Sequence, residues 1–334
     1  GSKTLLLGSH QDSVIQGGKY DGILGVILPL AALEALKDTP LPFSVEILAF
    51  ADEEGVRFPT ALMGPRALAG TFDPSVLAYK DQDGITVAQA LDAFGGNAQG
   101  LQTLARNPDD ILGYIECHIE QGPVLEAADQ ALGVVTGICG IERWQVRLTG
   151  KAAHAGTTPM DLRRDTLAGA AEAVLATETY CRKTPSLVGC VGQLVNSPNA
   201  VNAIPGAVDF TLELRSDQDA LRLEAGQALV AQIQRQAAAR SLGFEARKTY
   251  EQAACACDLK LRHALVRASQ AAGQTGLELM SGATHDASAM ADLCPMAMMF
   301  VRCKEGLSHH PDEAISKADL APAIVALTTV LKAL

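Results

Sequence analysis

Aromatic residues are scarce in this chain. Only 4% of its 334 residues are Phe, Trp or Tyr, whereas 48% are hydrophobic. Leu, Val, Ile and Ala must therefore fill the interior, and they are numerous enough to build a sizeable buried core. The length fits two domains or one large one.

Basic residues are also in short supply. The chain has 27 Lys and Arg against 38 Asp and Glu, which gives a formal net charge of −11. Phosphate binding requires clustered Lys and Arg, so we do not expect a nucleic-acid partner. Bound cations would offset part of the negative charge.

Long apolar runs and cysteine pairs are missing as well. No run approaches the ~20 residues that cross a bilayer, so we expect no membrane partner. The eight cysteines form no CxxC pair and lie mostly in apolar stretches. We interpret them as reduced thiols of a cytoplasmic protein. No signal peptide precedes Thr4–Leu7, which is already a predicted buried strand. Because the chain begins inside a folded element, we expect either that it lacks an N-terminal segment or that this segment lies outside this sequence.

Apolar segments of strand length alternate with helical stretches in the first third of the chain. Thr4–Leu7, Val45–Phe50 and Ile111–His118 are predicted strands, and Ile23–Lys37 is a predicted helix. This alternation is typical of an α/β fold with a mostly parallel sheet and helices on both faces. Ligands of such sheets bind at the carboxyl ends of the strands.

The middle of the chain has a different pattern, in the order β-α-β-β-α-β. The order predicts an inserted ferredoxin-like domain at 138–253, within a discontinuous catalytic domain at 1–137 and 254–334. Its predicted elements are Arg143–Leu148, helix Asp161–Cys181, Leu187–Val195, Ala207–Leu214, helix Gln218–Arg240 and Leu242–Tyr250.

Acidic residues and histidines follow the predicted strands at several points. Each has an ordinary structural interpretation: a polar pair at a strand end, a helix N-cap for Asp21, a solvated loop for Glu53 and Glu54, or a structural histidine. Taken together they provide ligands for two metal ions and leave one carboxylate to activate water. The set comprises His10, Asp12, Asp21, Glu53, Glu54, His118 and His309.

These residues lie in strings that resemble the allantoate amidohydrolase and N-carbamoyl-L-amino-acid hydrolase branch of the dinuclear-metal aminoacylase/carboxypeptidase superfamily. The resemblance covers nearly the whole chain. Its most specific strings are HIEQGPVLE and HAGTTPM. The matching segments are Gly8–Val14, Gly17–Gly22, Asp52–Phe58, His118–Glu126, His154–Met160 and Gly306–His309.

The resemblance implies a catalytic metal pair. Asp21 would bridge two divalent ions, with His10 and His118 at one and Glu54 and His309 at the other. Glu53 would be the general base, and Asp12 would orient the His10 ring. Zinc and manganese are the first candidates, and cobalt or nickel also suits ligands without thiolate.

The resemblance also implies substrate contacts and a homodimer formed through the inserted domain, which would act as a lid. Arg215 would bind the carboxylate of a small substrate, Asn202 its carboxylate or ureido oxygen, and Gln121 an amide. His154, from a partner subunit, would stabilise the oxyanion.

The implied reaction cleaves a ureido or carbamoyl C–N bond and releases ammonia and carbon dioxide. Allantoate is the preferred substrate, because Phe58–Leu62 is closer to that group. N-carbamoyl-L-amino acids or β-ureidopropionate are the alternative, and peptidase or deacylase activity is a more remote one. The chain departs from the branch at Gln11, which is usually Leu, and at Thr284, which is usually Gly.

Overall fold

Strands and helices alternate along most of the chain in the computed structural model, which describes residues 3–334. The strands are β1 (Thr4–His10), β2 (Ser44–Phe50), β3 (Ile111–Ile119), β4 (Leu132–Ile138), β5 (Gly140–Thr149), β6 (Ala153–His154), β7 (Val188–Cys190), β8 (Leu194–Ser197), β9 (Ala203–Ile204), β10 (Ala207–Ser216), β11 (Gly243–Gln252), β12 (Cys255–Ala256), β13 (Glu278–Ser281) and β14 (Met296–Val301). The α-helices are α1 (Leu24–Ala35), α2 (Met63–Ala69), α3 (Val87–Ala93), α4 (Val124–Ala127), α5 (Thr166–Lys183), α6 (Asp219–Ala239), α7 (Leu259–Ala271), α8 (Asp286–Met290) and α9 (Lys317–Ala333).

The chain divides into two compact units. The outer unit comprises residues 3–138 and 256–334, and the inserted unit comprises Cys139–Cys255. None of the helices in the described part of the chain is both long and apolar enough to span a membrane.

A mixed, mostly parallel sheet forms the centre of the outer unit, as the sequence predicts. Its strand order is β12-β4-β14-β3-β1-β2, with β13 paired to β4. Strands β1, β2, β3 and β14 run parallel, whereas β4 runs antiparallel to β14. The carboxyl ends of four neighbouring strands therefore lie along one edge of the sheet.

The composition of the central strands explains their position. All six residues of β14, with the sequence MAMMFV, are buried, as are eight of the nine residues of β3. Continuous apolar runs of this kind are typical of parallel strands that are covered on both faces. Helices α1 and α7 pack against α9, and α1 also contacts β1 and β3.

The inserted unit contains an antiparallel sheet with strand order β11-β5-β10-β7. Strand β8 also pairs with β10, at residues 207–210, whereas β7 pairs with residues 213–215. Residues along β10 alternate between partly buried and buried, which is the period-2 pattern of a strand with one covered face. Helices α5 and α6 pack against each other and against β5 and β10.

Two predicted elements of this unit differ in the structure. Leu187–Val195 is two short strands, because Cys190 and Leu194 are four positions apart while their partners on β10, Glu213 and Phe210, are three positions apart. The additional residue forms an irregularity of the β-bulge type. Helix α5 begins at Thr166 and not at Asp161, because the Asp165 carboxylate accepts the N–H groups that start the helix.

A buried arginine links the first and last strands of the inserted unit. The Arg222 guanidinium is 1% exposed and contacts the Glu142 carboxylate of β5 at 3.2 Å and Asp219 at 2.9 Å. Asp219 in turn accepts the backbone N–H of Ala254, just after β11. A buried charge needs such partners, since leaving it unpaired costs several kcal/mol.

Candidate metal centre

The predicted metal ligands come together at the carboxyl edge of the outer sheet. His10 is the last residue of β1, His118 is near the end of β3, and Glu54 follows β2. Asp21 lies in the loop before α1, and His309 lies in the loop after β14. Strand order alone explains why residues so far apart in sequence meet here.

One cluster contains His10, His118 and Asp21, all buried. The distance from Asp21 Oδ1 is 3.6 Å to His10 Nε2 and 3.2 Å to His118 Nε2. The two histidine nitrogens are 3.5 Å apart. The three donor atoms thus form a nearly regular triangle.

A second cluster contains Asp21, Glu54 and His309. His309 Nε2 is 3.2 Å from Asp21 Oδ2 and 3.3 Å from Glu54 Oε1. The Asp21 carboxylate therefore presents one oxygen to each cluster, which is the arrangement of a bridging ligand.

Both clusters fit divalent metal ions. Nitrogen and oxygen ligands of a tetrahedral zinc ion, at ~2.1 Å from the metal, lie ~3.4 Å from one another. The distances between carboxylate oxygens and histidine nitrogens in the two clusters, 3.2 to 3.6 Å, match this spacing. Apart from the histidine nitrogens of its own cluster, neither Asp21 Oδ1 nor Glu54 Oε1, both buried, has a hydrogen-bond donor.

Glu53 is the remaining carboxylate beside the clusters. It is 7% exposed and lies within ligand distance of His10 and Glu54. Burial, followed by the negative charges of Glu54 and Glu116, raises the pKa of Glu53 to about 8. A carboxyl group with such a pKa can both accept and return a proton near neutral pH.

Asp12 has a different contact from the predicted one. Its carboxylate accepts the backbone N–H groups of Glu53 and Glu54 at 3.3 and 3.2 Å. The His10 ring is held by the backbone carbonyl of Asp12, 2.9 Å from Nδ1, whereas the carboxylate is 3.9 Å away. The Asp12 side chain therefore positions the two glutamates, and its main chain orients the histidine.

Backbone geometry around the centre is unusual. Asp52, Gln121 and His309 have positive φ angles of 61°, 56° and 56°, a region that costs non-glycine residues of order 1 kcal/mol. Gly22, with φ 69°, lies so close to His10 that a Cβ there would be 2.3 Å from the imidazole ring. Asp21 can approach His10 only because glycine follows it.

Two of the predicted substrate contacts are adjacent within the inserted unit. Strands β6 and β9 pair, with His154 opposite Ala203, and the backbone carbonyl of Asn202 accepts the N–H of Ala155. His154 is exposed, and its Nδ1 accepts the backbone N–H of Gly156 at 3.0 Å. In the neutral ring the proton must then be on Nε2, which can donate outward.

The other predicted contacts already have partners. Arg215 donates to Glu213 Oε1 from Nε and Nη2, at 2.9 and 2.7 Å, while Arg143 binds the second oxygen of Glu213. Gln121, in the outer unit, donates from Nε2 to Asp21 Oδ2 at 3.0 Å. Its Oε1 is buried without a hydrogen-bond donor.

Comparison with known proteins places the chain in a family. The model of the family described as "Peptidase family M20/M25/M40" matches residues 6–333. The chain belongs to this family. The chain is similar to an N-carbamoyl-L-amino acid amidohydrolase of Geobacillus stearothermophilus. The two are 39% identical over an alignment that covers 95% of this chain and 78% of that protein.

Two further relatives of the chain span its whole length. An allantoate deiminase of Arabidopsis thaliana is 38% identical and aligns with 99% of this chain and 69% of its own. A crystal structure of an amidase of the hydantoinase/carbamoylase family from Burkholderia multivorans has a TM-score of 0.91 and 32% identity, covering 99% of this chain and 81% of that one.

Sequence reasoning missed several buried polar residues of this centre. Glu116 is fully buried and accepts the Ser9 hydroxyl at 2.6 Å and the Ala287 N–H at 2.8 Å. Asp286 is also fully buried, and neither of its oxygens has a hydrogen-bond donor. Burial, with the charges of Glu116 and Glu53, raises the pKa of Asp286 well above its usual range. No local pattern in the sequence marks either residue.

Electrostatics couple the bridging carboxylate to His118. Burial alone would raise the pKa of Asp21, but the hydrogen bond and charge of His118 outweigh it and lower that pKa below its usual range. Burial opposes protonation of His118, yet its hydrogen bond to Asp21 and the charge of Asp21 raise its pKa to about 9. Without metal, the two groups therefore form a buried ion pair.

This pairing predicts how the stability of the chelator-treated protein depends on pH. A histidine with a raised pKa contributes stability that is complete below pH 6.5 and is lost as the pH rises through about 9. The protonated Glu53, whose pKa is raised to about 8, likewise stabilises the folded protein less as the pH rises. We expect the free energy of unfolding, measured by urea denaturation, to fall across this window.

The matched control for this titration is Asp21→Asn. It removes the charge that raises the His118 pKa, so the decrease should be smaller in this variant. A free energy of unfolding that stays constant or increases between pH 6.5 and 9 in the chelator-treated wild type would contradict the pairing.

Proposed function

We propose that this protein is a metal-dependent hydrolase that cleaves the C–N bond of a ureido or carbamoyl group. Allantoate is the first candidate substrate, and N-carbamoyl-L-amino acids are the second. The observation that carries the proposal is the geometry of the Asp21 carboxylate, which presents one oxygen to each of two donor clusters, with the buried Glu53 beside them. Relatives named for both substrates support the choice of reaction.

The metal ions would be held by His10, His118 and Asp21 on one side, and by Asp21, Glu54 and His309 on the other. When bound, divalent ions at such a site lower the pKa of a water molecule and polarise a carbonyl group. Imidazole and carboxylate donors without thiolate suit zinc and manganese, which we propose as the first candidates.

Glu53 is the proposed general base. It takes a proton from the attacking water while the water oxygen bonds to the ureido carbonyl carbon. It then returns the proton to the departing nitrogen as the C–N bond breaks. A pKa raised to about 8 suits both steps. Asp12, which binds the backbone of Glu53 and Glu54, keeps the base in place.

His154 is the proposed oxyanion donor. Its Nδ1 accepts the Gly156 N–H, so Nε2 carries the proton of the neutral ring and can donate to the carbonyl oxygen as negative charge develops. Asn202 and Gln121 are proposed as polar contacts of the substrate, and the unpartnered Oε1 of Gln121 can accept a ureido N–H.

Arg215 is the proposed carboxylate anchor. Its Nε and Nη2 bind one carboxylate oxygen of Glu213, and a substrate carboxylate would share or displace that contact to form a bidentate pair. Glu213 is bound between Arg143 and Arg215, so it limits how far Arg215 can move.

We propose that the inserted unit is a ferredoxin-like lid and dimerisation domain. The element order β5-α5-β7/β8-β10-α6-β11 and the antiparallel sheet with β5 and β10 at its centre support this assignment. The sheet ends at the short strands β7 and β8, where Val188 and Val195 are 46% and 66% exposed. Exposed apolar residues on a sheet edge suit contact with a second copy.

A substrate screen tests the proposed reaction. The protein would be stripped of metal, reconstituted with zinc or manganese, and assayed for ammonia with allantoate and a panel of N-carbamoyl-L-amino acids. We expect turnover of at least one ureido compound to exceed that of dipeptides and N-acetyl amino acids. Faster release of amino acids from the peptides would overturn the proposal in favour of a peptidase.

The Glu53→Gln variant is the control for the screen. It keeps the shape of the side chain but removes the base, so kcat should fall by ~10² to 10⁴. Metal content, measured by elemental analysis, should remain that of the wild type. An active Glu53→Gln enzyme would exclude Glu53 as the base.

Replacement of Arg215 tests the carboxylate anchor. Arg215→Ala and Arg215→Lys should both raise KM at least ~10-fold, because lysine cannot form the bidentate pair. The control is Arg182→Ala, which removes an exposed ion pair with Glu178 in the same unit and should leave KM unchanged. Wild-type KM in both Arg215 variants would exclude this role.

Mixing two inactive variants tests the dimer and the origin of His154. Suppose that each site takes Glu53 from one subunit and His154 from the other. In a heterodimer of His154→Ala with Glu53→Gln, one of the two sites then has both native residues and the other has neither. Equal mixing with subunit exchange should restore about a quarter of wild-type activity in a symmetric dimer. Mixtures that exchange subunits but stay inactive would show that His154 acts in its own subunit.

A further inference from the structure

Glu313 is a buried carboxylate in the loop after β14, four residues beyond His309. It is 3% exposed, and nothing in the proposed chemistry requires it. Its Oε1 accepts the backbone N–H of Tyr20 at 2.8 Å and that of Asp21 at 3.0 Å. The loop after β14 thus binds the main chain of Asp21, the proposed bridging ligand, through Glu313.

Ser308 forms a second connection between the same two loops. Its hydroxyl is 2.7 Å from Asp21 Oδ2 and 3.1 Å from Glu313 Oε2, and its single proton can go to one of them at a time. Gln121 donates to Asp21 Oδ2 and also contacts the Ser308 hydroxyl at 3.2 Å. Glu313 therefore contacts both the main chain of Asp21 and the hydroxyl that binds its side chain.

Gly18 shows how tightly this carboxylate is enclosed. A Cβ at Gly18 would lie 2.3 Å from the carboxylate carbon of Glu313. This distance is much shorter than any contact that a Cβ atom makes in real proteins. The chain before Asp21 can pass over Glu313 only because residue 18 is glycine. The two loops are fitted to each other as well as hydrogen-bonded.

We infer that Glu313 is a positioning residue, which holds Asp21 and His309 at the spacing that a second metal ion requires. The inference rests on the proposed function only in that Asp21 and His309 are metal ligands. Outer partners of metal ligands fix ligand orientation, and their loss typically weakens metal binding 10–100-fold.

The two metal positions differ in their dependence on Glu313. His10 and His118 are held by strands β1 and β3, whereas His309 lies in an exposed loop, with 49% of its side chain accessible. Loss of Glu313 frees that loop and the Asp21 main chain together. The position formed by Asp21, Glu54 and His309 should therefore lose more affinity than the one formed with His10 and His118.

Calorimetric titration of the chelator-treated full-length protein with zinc tests the inference. For the wild type we expect two ions per chain. For Glu313→Ala we expect one ion bound nearly as in the wild type and the other bound at least ~10-fold more weakly. Glu313→Gln keeps an acceptor for both N–H groups and should recover most of the affinity. Gly18→Ala, which displaces an intact Glu313, should show the same selective weakening as Glu313→Ala.

Asp312→Ala is the matched control, since Asp312 is 82% exposed and adjacent in sequence. It should bind both ions like the wild type. Circular dichroism of each metal-free variant gives its folded fraction, so that the number of zinc ions bound can be expressed per folded chain. Wild-type affinity for both ions in folded Glu313→Ala would overturn the inference, as would equal weakening of both. A wild type that binds no zinc would overturn the proposed function together with it.

Discussion

The burial of one carboxylate shared by two donor clusters is the constraint on which this structure depends. Asp21 is 3% exposed, and a charge so far from water is stable only if opposite charges or donors surround it. His10 and His118 lie on one side, and His309, Ser308 and Gln121 on the other. These partners come from β1, β3, the segment after β3 and the loop after β14, so the requirements of a single side chain constrain several strands along this edge of the sheet.

Other carboxylates beneath this edge extend the same problem into the core. Glu116 has donors from Ser9 and Ala287, whereas Asp286 has none, and burial raises the pKa of both groups. Such a concentration of acid is costly for the metal-free fold and suits one that binds cations. The positive φ angles of Asp52, Gln121 and His309 are a further cost at the same place. Stability is thus reduced where the proposed chemistry takes place, and the burial of almost every residue of β3 and β14 compensates for it.

The sequence predicts the mostly parallel sheet because apolar strands alternate with helices, and it predicts that polar strand ends meet because parallel strands share an edge. His10, Asp21, Glu54, His118 and His309 could be proposed on that basis, and the structure brings them together. Glu313 and Asp286 could not, since no local pattern marks them. The main chain that Glu313 binds at Asp21 is 292 positions away. Asp286 is linked to the centre through the charge of Glu116, which is also remote in sequence. The break between β7 and β8 was equally hidden, because it depends on one residue of register against β10. The side-chain role of Asp12 was misassigned for a similar reason: its partners are backbone groups, which sequence motifs do not reveal.

The contact between Ser308 and Asp21 joins positions 287 residues apart. During synthesis on the ribosome, Asp21 therefore emerges 287 residues before Ser308. A shorter nascent chain can contain the histidines of β1 and β3, but it lacks the loop that supplies Ser308 and His309. The two donor clusters can exist together only after that loop has been made and has folded back onto Asp21.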